Sequence, residues 1–278
     1  MTASSSGPAS TPGLTASVWA EQGGAIVSLR DHRGYEWLAQ PAGQRGSTVV
    51  APPVFTDGRM SGWDECAPSI SACRTAAGDD IPDHGDLWSI AWTTDRGWLV
   101  GHGASLGYVL RRRIDRTPAG LRLEYEAEAT EREVPFFWSA HPQFRSPVGA
   151  PVVIDGVGQV VDVLAPDASL VDWSDDLARL DTLPEPGSRK IVLPRDVAVS
   201  SASIAAPDGR RLTMSWDPDL LPHLAVWFDR LMFSREPVIA LEPATGWYDS
   251  LAMCEANGTA WSLRPGRARR WWVELTVT

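Results

Sequence analysis

His141 and Glu242 have the settings best suited to moving a proton. His141, one of five histidines, ends the largely apolar run Pro135-Phe136-Phe137-Trp138-Ser139-Ala140 and precedes Pro142. An imidazole at a strand end exchanges protons near neutral pH, its free pKa being about 6.5; the plainer reading is a hydrogen-bonded structural histidine. Glu242 follows Val238-Ile239-Ala240-Leu241 and precedes the turn-forming Pro243-Ala244-Thr245-Gly246. A carboxylate there is partly desolvated and suits a general base; it could equally serve only to bond the turn. Spacing alone leaves both readings open for both residues.

Other polar segments offer weaker chemistry. His84 stands between Asp83 and Gly85-Asp86; no further ligand at metal-binding spacing accompanies it, and a histidine anchoring a loop over a cleft is the alternative. Asp64 and Glu65, in Gly62-Trp63-Asp64-Glu65-Cys66, could cap a turn or bind hydroxyls, and side-chain alternation lets only one enter a given site. Either could join Glu242 as the carboxylate pair of a glycoside hydrolase. Cys66 lacks an identifiable base to activate it. No phosphate loop, dinucleotide fingerprint or Gly-x-Ser-x-Gly elbow occurs.

The elements that must position these groups are strands. Leu121, Leu123, Tyr125 and Ala127 alternate with Arg122, Glu124, Glu126 and Glu128, as in a half-buried antiparallel strand. Trp271, Val273, Leu275 and Val277 repeat the pattern, whereas Ser105–Arg116 and Arg210–Trp216 alternate less cleanly. Thr117-Pro118-Ala119-Gly120, Pro207-Asp208-Gly209 and Asn257-Gly258 read as turns between strands. Arg111-Arg112-Arg113 reads as a solvated strand face opposite the Glu-rich one, and Ser174–Asp181 as the one helical turn or two. The expected class is all-β, a large antiparallel β-sandwich spanning residues 14–278 as a single domain. It follows a disordered tail, residues 1–13, built of Ser, Thr, Ala, Pro and Gly and without the features of a secretory signal.

Composition narrows the partners. A net charge of −10 argues against nucleic acid and anionic membrane, and no apolar run reaches membrane-spanning length. Three cysteines, Cys66, Cys73 and Cys254, are too few for a disulfide framework and read as reduced thiols of a cytoplasmic protein. Lys190 is the only lysine, every other basic residue being arginine, which genome base composition explains as readily as chemistry. Fourteen tryptophans suit both cores and sugar-stacking surfaces.

In this order and spacing, several segments resemble the aldose 1-epimerase (galactose mutarotase) family. They are Gly24–Leu29 with Gly34-Tyr35-Glu36-Trp37-Leu38, Asp83–Trp88, Ser139-Ala140-His141-Pro142-Gln143-Phe144, Leu241-Glu242-Pro243 and Leu263-Arg264-Pro265-Gly266. The resemblance implies the galactose mutarotase-like supersandwich, a small-molecule sugar as partner, and catalysis with no cofactor and no metal, by a monomer or a dimer. It makes His141 the acid on the ring oxygen, Glu242 the base on the C1 hydroxyl and His84 a ligand near the ring oxygen. Trp88 and Trp138 become candidates to stack on the sugar. A non-catalytic carbohydrate-binding protein of the same fold is the alternative. The chain departs from the family after Phe144, where Arg145-Ser146 replaces an aromatic-x-Asn-Leu pattern, and it lacks the upstream Gly-Asn-Arg. Arg145 could favour a sugar acid or phosphate, or point outward.

Overall fold

Alternating burial is the clearest signature of the architecture. Along Gly120–Ala129 the odd positions from Leu121 to Ala129 are buried and the even ones from Arg122 to Glu128 half-buried, and Arg269–Val277 repeats this from Trp271 onward. The computed structural model describes residues 13–41, 55–57, 60–164 and 168–278. The expected tail, apart from Gly13, lies outside the described residues, and the first strand starts at Leu14.

Two large antiparallel sheets dominate, and neither closes into a barrel. The ten-stranded sheet runs in the order Leu14–Trp19, Ala25–Asp31, Trp63–Cys66, Ser139–Pro142, Val238–Ala244, His223–Arg230, Gly187–Val192, Gln159–Asp162 and Leu170–Asp172, with Phe144–Arg145 also pairing to Val238–Ala244. The seven-stranded sheet runs Ser201–Ala205, Arg211–Trp216, Arg269–Val277, Gly120–Ala129, Tyr108–Arg116, Trp98–Gly103 and Thr93–Asp95. Apolar side chains of both join one buried cluster, including Trp63, Trp138, Phe144 and Leu241 from or beside the first and Leu110, Leu123, Tyr125 and Trp271 from the second. Among the described residues no helix is long and apolar enough to cross a membrane.

Three local expectations are corrected. Asn257-Gly258 is not a hairpin turn but the end of a helix, Leu251–Asn257. Ser250 caps its start, accepting from the Met253 N–H at 3.3 Å, and Gly258 closes it in the left-handed region at φ 71°; Asn-Gly signals a helix end as well as a tight turn. Ser174–Asp181 supplies only one hydrogen-bonded turn, Ala178 N–H to Ser174 C=O. Arg112 is fully buried, because alternation sends it inward while Arg113 stays on the wet face beside Glu124.

Candidate active site

Register builds the site. In the ten-stranded sheet Ser139 pairs with Ala244 and Phe144 with Ile239, which sets His141 opposite Glu242. On the other side of His141 lies Asp64, and beyond Glu242 come Ala225 and then Val192. One row across five strands therefore reads Asp64, His141, Glu242, Ala225, Val192. Residues two positions along share this face, so the next row carries Gln143, Ala240, Trp227 and Lys190. Trp138, Ala140 and Leu241 point the other way, into the core. Two residues a hundred positions apart meet because their strands are neighbours.

The imidazole Nε2 of His141 lies 3.7 Å from Glu242 Oε1, with His141 4% exposed and Glu242 fully buried. Gln143 Nε2 donates to His141 Nδ1 at 3.0 Å. A donor on Nδ1 selects the tautomer whose proton sits on Nε2, facing Glu242. Burial, with the neighbouring His84 ring and the Lys190 ammonium adding to it, holds His141 well below its ordinary pKa. Burial drives Glu242 the other way, above the usual carboxylate range, and the Lys190 ammonium opposes that rise. The two groups are thus pushed towards each other in proton affinity.

His84 reaches the pair from a loop. Its backbone is left-handed at φ 58°, and its ring stacks on Phe55 at 3.8 Å and meets His141 edge-on at 5.2 Å. Asp83 Oδ2 holds His84 Nδ1 at 2.8 Å. Gly85 makes the turn possible: at φ 74° its missing Cβ would lie 1.9 Å from the Ala67 carbonyl oxygen. Non-glycine backbone in this region costs about 1–3 kcal/mol; Tyr248, at φ 81° beside Asp249, is another of the five such residues among those described.

Lys190 is the residue that sequence reasoning passed over. Its ammonium sits 2.9 Å from Glu242 Oε2 and 2.6 Å from Asp249 Oδ1, in a side chain 5% exposed. Burial alone would lower its pKa, but Asp249 and Glu242 together raise it, so it is a fixed cation. Its being the only lysine was the available signal. Asp249 and the small Ala225 carried none.

The remaining candidates divide. Asp64 shares the face of His141 and is buried. Glu65, its neighbour, faces the core instead, where Arg112, Tyr125 and Trp138 all donate to it; it is not available to a sugar or to hydrolysis. Trp138 is likewise a core residue, packed on Tyr125 and Trp271, not a stacking surface. Trp88 is buried behind Phe55, its Nε1 donating to the Asp83 carbonyl, so it supports the His84 loop. Arg145 lies two same-face positions beyond His141 and is paired to Glu236 at 2.8 Å, away from the His141–Glu242 pair. Among the described residues no three His, Cys, Asp or Glu are grouped to hold a metal ion.

No family model matches the chain, and no curated protein matches it in sequence. Solved structures do match. The Slr1438 protein from Synechocystis superposes with a TM-score of 0.71 at 16% identity, over 95% of this chain and 91% of that one. A galactose mutarotase-like protein from Lactobacillus casei gives 0.67 at 17%, over 95% and 97%. The GalM/aldose epimerase homologue from C. elegans gives 0.63 at 12%, over 96% of each chain. At such identities the likeness speaks to architecture, and the chain carries the galactose mutarotase-like fold.

Proposed function

We propose that the protein is an isomerase that interconverts the α and β anomers of an aldose by acid–base ring opening. The observation that carries this reading is the approach of His141 Nε2 to Glu242 Oε1 at 3.7 Å on one sheet face. The C1 hydroxyl and the ring oxygen of a pyranose share one carbon, so both fall within hydrogen-bond reach, about 2.6–3.2 Å, of two groups so placed. Glu242 takes the proton from the C1 hydroxyl as His141, entering the step as the imidazolium with the Gln143 amide turned so that its Oε1 accepts from Nδ1–H, gives its Nε2 proton to the ring oxygen and is left a neutral imidazole. The C1–O5 bond breaks, and the aldehyde turns about C1–C2. O5 then attacks the other face of C1, its proton returns to His141, and the carbonyl oxygen regains one from Glu242. A proton that must travel both ways favours partners of similar affinity, which agrees with the opposed shifts of His141 and Glu242.

Buried polar atoms on the same face support a polyol ligand. Gln143 Oε1, His223 Nδ1 and Trp227 Nε1 make no hydrogen bond among the described residues, and buried polar atoms are ordinarily paired. Asp64 and His84 flank His141 and are the further candidates to hold the sugar. The test is polarimetry on freshly dissolved anomers of a panel of aldoses, with His141→Ala and Glu242→Gln beside the wild type. The expected result is faster mutarotation of at least one sugar by the wild type and its loss in both variants. Wild type and variants alike on every sugar would overturn the reading, and affinity without exchange would assign the protein to sugar binding alone.

A further inference from the structure

We infer that Lys190 is a positioning residue for Glu242: anchored on Asp249, its ammonium grips Oε2 and so presents Oε1 to His141 and the sugar. This rests on the proposed acid–base reading of the His141–Glu242 pair. Lys190 belongs to the strand Gly187–Val192, two strands from Glu242 and one row displaced. Strands lie about 4.8 Å apart, so the lysine must cross a whole intervening strand, and Ala225, the residue directly beside Glu242 there, is small enough to let the stem pass. Only the ammonium's two short contacts, at 2.9 and 2.6 Å, meet at the end of that reach. With Oε2 so engaged, Oε1 is the oxygen left towards His141 at 3.7 Å. A branched side chain at position 225 would close the path.

The interaction also sets the state of the carboxyl. Glu242 is fully buried, and Lys190 is the chief influence opposing the rise in its proton affinity. The other titratable groups about the pair are His141, Asp64 and Cys66 from the neighbouring strands, His223 from the strand between Lys190 and Glu242, His84 from its loop, and Asp249, which shares Lys190. Tyr248 and Asp162 lie further out on the Lys190 side. Taking the lysine charge away leaves a buried carboxyl with no cation in contact, which holds its proton to higher pH.

The experiment compares wild type with Lys190→Met, Lys190→Arg and Asp249→Asn in two readouts. The first is the pH profile of anomer exchange. Lys190→Met is expected to move the acidic limb of kcat upward by at least one pH unit, a loss of up to tenfold at any pH on that limb that is recovered on raising the pH, with KM little changed. Lys190→Arg restores the profile in part, and Asp249→Asn shifts it the same way by less. The second is the infrared band of the protonated carboxyl, assigned with Glu242→Gln, which reports Glu242 whether or not any sugar turns over. A folded Lys190→Met with unchanged carboxyl titration overturns the inference. Should Lys190→Met not fold, Asp249→Asn decides by the same two readouts, and an unmoved carboxyl there overturns it equally. A shifted carboxyl in a protein that exchanges no anomer upholds the role of Lys190 and overturns the proposed reaction instead.

Discussion

Removing the cation of the buried pair behind the site, by Arg112→Met, should be among the most damaging single changes in the chain. Arg112 and Glu65 are both fully buried, with Arg112 Nη1 2.7 Å from Glu65 Oε1. Tyr125 OH donates to the same oxygen at 3.0 Å and Trp138 Nε1 to the other at 2.9 Å. Arg112 also donates to the Gly24 carbonyl and lies over the Trp92 ring. Methionine keeps much of the stem but leaves a buried carboxylate with two neutral donors. Breaking one side of such a pair costs about 3–5 kcal/mol. For a chain of this size each kcal/mol lowers Tm by about 2–4 °C, so the drop should be roughly 6–20 °C. Adding Glu65→Gln removes the stranded charge, keeps an acceptor for the Trp138 N–H and lets the Tyr125 hydroxyl turn to accept from the new NH2, and should recover more than half the loss. Burial already raises the pKa of Glu65 against the pull of Arg112, and Arg112→Met raises it further. A folded-state pKa above the unfolded value of about 4.3 means stability is fullest below that value and is lost as pH rises. The gap between Arg112→Met and wild type should therefore narrow from pH 7 to pH 5. Urea unfolding at pH 7 and pH 5 and thermal unfolding, both followed by tryptophan fluorescence, measure the free energies and Tm. A loss under about 1 kcal/mol, or a double variant no better than the single, would refute the reasoning.

Acid should weaken the fold through its buried histidines. Burial, with Arg195 adding to it, lowers the His223 pKa to about 4, and His141 is also depressed. Stability these groups support is present above the unfolded value of about 6.5 and lost as pH falls below it, so Tm between pH 7 and 4 should decline less steeply in His223→Leu. Gly85→Ala should strain the turn beneath His84, because its Cβ would strike the Ala67 carbonyl. We expect a loss of about 1–3 kcal/mol together with weaker sugar binding by calorimetry. Ser250→Ala should cost about 1 kcal/mol through its lost helix cap, read as a lower urea midpoint at unchanged slope.

The strands were legible wherever one face is wet. Leu121–Ala127 and Trp271–Val277 announced themselves because water on one side imposes alternation of polarity. Glu242 and His141 stood out for the opposite reason, as polar residues in strands otherwise wholly buried. What stayed hidden needs neighbours that are distant in sequence. Asp64 and Glu65 are adjacent and equally acidic, and only pairing to Ser139–Pro142 reveals which one faces His141. Arg112 looked solvated because its partner, Glu65, lies in the other sheet. Lys190 comes to Glu242 across an intervening strand, and no local pattern encodes that reach. Seven of the fourteen tryptophans resolved to the plain reading as buried residues, Trp37, Trp63, Trp138 and Trp216 among them.

A structure determined with an aldose bound would show whether His141 and Glu242 meet the anomeric centre. The anomeric carbon is expected over the His141–Glu242 row, its hydroxyl within about 3 Å of a Glu242 oxygen and the ring oxygen within about 3 Å of His141 Nε2. A sugar seated elsewhere, or one whose anomeric carbon points away from both groups, would contradict it.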